Sequence, residues 1–102
     1  MKKIIDGRLY DTDTAKRVGG YAKGFEGVDS DFVMESLYRK ETGEFFLYGG
    51  GGPKSDYAEH SENTSCAGEA IRPLSIDEAK EWAEKHLSGD EYIEIFGEVK
   101  EE

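Results

Sequence analysis

Apolar and polar positions alternate most clearly from Phe32 to Tyr48. The alternation predicts a strand reaching Lys40, a turn at Glu41-Thr42-Gly43 and a second strand from Glu44, with Gly43 in the left-handed position of a bulged type I turn. Placing Lys40 opposite Glu44 pairs Arg39 with Phe45, Tyr38 with Phe46 and Leu37 with Leu47. Both faces of the second strand carry large apolar groups, Phe45 and Leu47 on one, Phe46 and Tyr48 on the other. The alternation alone does not choose the inward face.

A second periodicity, that of a helix, begins after Ser75. Ser75-Ile76-Asp77-Glu78 matches a capping box, and Ile76, Ala79, Trp82, Ala83 and Leu87 then share one face of a helix over about 76–87. Trp82 is expected to anchor it on the sheet. Gly89 suits the end of that helix, and Asp90 can cap a short final helix near 91–96 in which Tyr92, Ile95 and Phe96 share a face with Val99; a strand is the alternative.

Elsewhere the pattern is broken by turn residues. Lys3 to Tyr10 around Asp6-Gly7 predicts a short strand or small hairpin. Asp11 and Thr12 can cap a short helix near 13–18 that Gly19-Gly20 would end. Gly24 to Asp31 reads as a surface loop pinned by Phe25 and Val28 and available to a partner. Gly49 to Gly52 with Pro53 is expected to interrupt any sheet, the stretch through Gly68 to be loop, and Ala70 to Leu74 to add an edge strand. The expected fold is one α+β domain over 1–102, a small antiparallel sheet around the 32–48 hairpin covered by the Trp82 helix.

Composition sharpens this picture. Of 102 residues 36% are hydrophobic and 35% charged, so the core must draw on the 12% that are aromatic. Thirteen Lys and Arg against 23 Asp and Glu give a net charge of -10, a field that repels phosphate backbones and attracts basic surfaces. Direct nucleic-acid binding is disfavoured. No apolar run approaches a membrane span, no leader-like segment follows Lys2-Lys3, and Cys66 is the only cysteine, which together predict a reduced cytoplasmic setting.

Candidate chemistry is sparse. Asp11-Thr12-Asp13-Thr14 is similar to the paired aspartates of haloacid dehalogenase-type phosphatases, but the chain is too short for that parallel fold. Gly49 to Ser55 ends in Lys-Ser like a phosphate-binding loop, yet Pro53 stands where that motif requires glycine. His60 and His86 lack ligand neighbours at metal spacing, so no metal or cofactor is expected. Cys66 and His60 could form a nucleophile pair only if the 54–68 loop folds back, which is the basis of an alternative reading as a small hydrolase or transferase. Asn63-Thr64-Ser65 matches a glycosylation acceptor that matters only to an exported chain.

The segments Lys2-Lys3-Ile4-Ile5-Asp6-Gly7-Arg8-Leu9-Tyr10-Asp11-Thr12, Leu37 to Gly50 and Pro73 to Leu87 resemble short uncharacterised proteins of phages and conjugative elements of Gram-positive bacteria. That resemblance implies a setting in which small acidic inhibitors of host defence occur, among them anti-restriction and anti-CRISPR proteins. The expected function is a non-enzymatic binding protein that sets carboxylates of Asp77, Glu78, Glu81, Glu84, Glu98, Glu101 and Glu102 against the basic surface of a nucleic-acid-binding protein, with Tyr48 and Gly50 in close contact and aromatic groups supplying the less salt-sensitive binding energy. A homodimer through the aromatic hairpin is a further alternative.

Overall fold

Asp6 and Gly7 both adopt positive φ, at 52° and 76°, the backbone of a tight hairpin turn that matches strand twist. In the computed structural model, which describes residues 1–99, they join β1 (Lys2–Ile5) to β2 (Arg8–Asp11) in an antiparallel pair. Asp11 then turns the chain by accepting the amide of Asp13 at 2.9 Å on its carboxylate. No helix forms near 13–18. Lys16–Lys23 is instead strand β3, and Gly19-Gly20 lie inside it because both are overlaid by side chains, Gly19 by Leu87 and Gly20 by the Arg17 guanidinium. The β-branched Val18 and aromatic Tyr21 fit a half-buried pleat better than a short unsupported helix.

The central hairpin is β4 (Val33–Arg39) and β5 (Phe45–Gly51), in the register that the sequence predicts: Arg39 opposite Phe45, Tyr38 opposite Phe46 and Leu37 opposite Leu47. Gly43 has φ 93°. The glycines after Tyr48 do not interrupt the sheet, contrary to expectation. Gly49, Gly50 and Gly51 pair with β4 on one side and with β8 (Gly68–Leu74) on the other, after a small exposed hairpin of β6 (Glu59–Ser61) and β7 (Thr64–Cys66) where the sequence predicts loop. Sheet order is β3-β4-β5-β8, with Pro73 on the edge strand.

Alternation divides the large residues between two cores. Leu37, Phe45 and Leu47 face Ala79, Trp82 and Ala83 of helix α1 (Ile76–His86), with Tyr92, Ile95 and Phe96 of α2 (Gly89–Phe96) packed against them. Phe46 points the other way, edge-on to Tyr10 and stacked on Tyr38, beneath the β1–β2 hairpin. Phe46 and Leu37 are fully buried, each contributing about 1.5–3 kcal/mol by the usual transfer scale.

Both helices open on capping boxes. Ser75 and Glu78 cap the start of α1 as expected, whereas α2 is capped by Ser88 with Glu91, so Asp90 sits in its first turn and Gly89 begins the helix instead of ending α1.

Candidate functional site

The expected contact residues fall on opposite faces of the sheet. Asp77, Glu78, Glu81 and Glu84 are exposed on α1, and Glu98 is exposed just after α2. Tyr48 and Gly50 belong to the β5 face turned away from the helices. Glu101 and Glu102 lie outside the described residues. The helical layer and the Tyr48 surface are therefore separate places.

The helical layer is the more strongly charged. Among the described residues, 75–99 hold eight of the chain's 23 Asp and Glu but two of its 13 Lys and Arg. Asp77, Glu81 and Glu84 follow one another at four- and three-residue steps, rises of about 6 and 4.5 Å along one stripe. Ion pairs among the described residues join Lys2 to Asp11, Arg8 to Glu44 and Lys40 to Glu44, all away from the helices. Glu78 differs from its neighbours: its carboxylate accepts the Ser75 amide at 2.8 Å, and hydrogen bonding at Ser75 holds its pKa below the ordinary value. Trp82, Tyr92 and Phe96 turn inward, so the apolar groups exposed beside the carboxylates are Ile76, Ile93 and Val99 rather than aromatic rings.

Beneath the helices, each oxygen of the Glu35 carboxylate accepts a hydrogen bond, one from the Trp82 indole at 2.9 Å and the other from the Tyr57 hydroxyl. Burial and this contact push the Tyr57 phenol well above its ordinary pKa. His86 stacks on Tyr21 with ring centres 3.8 Å apart, and burial lowers its pKa against the opposing pull of Glu35. With both oxygens engaged, Glu35 ties helix, sheet and loop together.

On the other face, Ile5 and Tyr10 of the β1–β2 hairpin cluster with Phe46, Tyr38, Tyr48 and Ile71 of the sheet. The same face also carries a cleft of about 690 Å³, floored by Met34, Tyr48 and Gly50 of the sheet and walled by the segment from Glu26 to Phe32. The Tyr48 hydroxyl donates to Glu69 at 2.6 Å, which raises the phenol's pKa. Phe25 and Val28 do not pin the wall segment, being 75% and 80% exposed; it is held instead by the Asp29 carboxylate, which accepts the Phe25 amide, and by the Gly52 and Lys54 amides donating to the carbonyls of Phe32 and Ser30. Sequence reasoning singled out Tyr48 and Gly50 but not Met34 or Glu69, which become their neighbours only through pairing across β4 and β8.

The remaining candidates are dispersed. The 54–68 segment does fold back, but His60 pairs with Ser65, its Nδ1 2.7 Å from the hydroxyl, while Cys66 lies opposite Glu59 on the other face of the hairpin. His60 and Cys66 thus form no nucleophile pair. Among the described residues no group of three or more His, Cys, Asp or Glu side chains is placed to hold a metal ion, and no helix is long and apolar enough to cross a membrane. The chain matches no protein-family model, no curated protein and no solved structure.

Proposed function

We propose that this chain is a non-enzymatic binding protein whose helical layer sets carboxylates against the basic surface of a nucleic-acid-binding protein, a host defence protein being the partner class that the sequence resemblance suggests. One observation carries the reading: the helical quarter of the chain concentrates negative charge that no described cation neutralises by an ion pair. Carboxylates of Asp77, Glu81, Glu84 and Glu98 stand in for phosphates, and the field speeds encounter with a basic groove.

Exposed ion pairs contribute only ~0.2–1 kcal/mol each, so several must act together. Ile76, Ile93 and Val99 supply contact area that salt screens less. Glu78 contributes less than its neighbours because capping already engages it. Tyr48 and Gly50 take no part in this surface.

The test is capture of partners on tagged protein from a nuclease-treated bacterial lysate carrying restriction and CRISPR systems, eluted by a salt gradient. The expected result is a nucleic-acid-binding protein that releases as salt rises and is not retained by a chain carrying Glu81→Lys and Glu84→Lys. Equal retention by that variant contradicts the proposal.

A further inference from the structure

Four glycines follow Tyr48, and packing accounts for three of them. A methyl group at Gly49 would strike the Tyr57 ring, one at Gly51 the Ser55 side chain, and one at Gly52 the Ser30 backbone. At Gly50 the crowding is milder: the nearest atoms would be the Gly68 carbonyl oxygen at 3.3 Å, which would have to give by a few tenths of an ångström, and the Glu69 Cβ at 3.6 Å. Gly50 lies in a central strand, where glycine packs poorly and a larger residue is normally favoured. What its missing side chain provides is an open floor in the cleft between Met34, Tyr48 and the Glu26–Phe32 wall.

The cleft has a definite chemistry. Its volume of about 690 Å³ lies within the usual range for ligand sites. Met34, Phe32 and Pro53 offer apolar surface, Glu26 and Glu69 set carboxylates at the margin, and no Lys or Arg lines it. One oxygen of Glu69 is engaged by Tyr48, and the other has no partner among the described residues. From this we infer that the cleft is a second docking site, separate from the helical layer, for an apolar side chain of a protein partner carried on an exposed peptide segment between Lys or Arg residues. The apolar group enters over Gly50 and the flanking cations meet Glu26 and Glu69. A second copy of the chain is a poor occupant: its exposed Phe25 and Val28 lie among Glu26, Asp29 and Asp31, which would face the same carboxylates.

The test uses the 15N-labelled full chain titrated with a pool of nine-residue peptides having Leu, Met or Phe at the centre and Lys or Arg on both sides. The expected result is saturable movement of the amide signals of Met34, Tyr48, Gly50 and Glu69. Pools with a central Ser or with Glu flanks should bind about tenfold more weakly or not at all. Gly50→Val should abolish the effect by filling the floor. Glu69→Lys, at an exposed position that leaves the core intact, should weaken it about tenfold. The inference is overturned by an absence of saturable shifts, by equal binding of the Glu-flanked pool, or by unchanged binding to Glu69→Lys. Shifts confined to α1 and α2 overturn it too while leaving the proposed function standing, and concentration-dependent shifts without peptide assign the cleft to a second copy.

Discussion

Tyr57 lies over Gly49, so closely that a Cβ on Gly49 would occupy the space of the phenol ring, and from there the Tyr57 hydroxyl reaches Glu35 on the neighbouring strand. The ring is buried and Arg72 stacks on it with its guanidinium 4.1 Å from the ring centre. Gly49→Ala is therefore expected to lower unfolding stability by about 2–4 kcal/mol through displacement of a core aromatic. Tyr57→Phe should cost about 1–2 kcal/mol through the lost hydrogen bond. Urea denaturation checks both. In a chain already carrying Tyr57→Ala, Gly49→Ala should cost much less, because the two positions share one contact.

Ser88 rather than Asp90 starts the second helix, which has no fully buried residue to compensate for a lost cap. Ser88→Ala should destabilise α2 by about 1 kcal/mol and accelerate exchange of its amide hydrogens, while Asp90→Asn should change both little. Hydrogen exchange resolved by residue separates the two outcomes.

The β4–β5 register follows from one turn and a period of two, and the first helix from one capping box, since both signals are local. The strand from Lys16 to Lys23 is hidden because Gly19 and Gly20 look like a helix stop. Leu87 and Arg17, which cover them, supply the reason for glycine, and one of these is distant in the chain. Gly49 and Gly51 mislead in the same way, needing Tyr57 and Ser55 to explain them. The acidic helical face is visible as composition. The cleft is not, because Met34, Gly50 and Glu69 meet only through strand pairing.

Acid should act on stability in two steps. Burial among Tyr21, Trp82 and the sheet depresses the His86 pKa below its ordinary 6.5, with Lys85 acting in the same direction and Glu35 against it. The unfolded chain then binds a proton more readily than the folded one, so this contribution is present above pH 6.5 and is lost as pH falls through the folded value. Glu78, also depressed, adds a contribution that is present above its ordinary 4.5 and disappears below that. Urea midpoints measured against pH should show both declines. His86→Phe should flatten the upper one, and Glu78→Gln, which preserves the capping geometry, the lower.

Competition between the helical carboxylates and phosphates is the central requirement of the proposed function. Its most direct measurement is a displacement titration in which the chain is added to the captured partner already bound to a labelled nucleic acid. One-to-one release of the nucleic acid is expected, weakened by salt and lost when Glu81→Lys and Glu84→Lys are introduced together. A ternary complex in which the nucleic acid stays bound, or equal release by the charge-reversed chain, would contradict it.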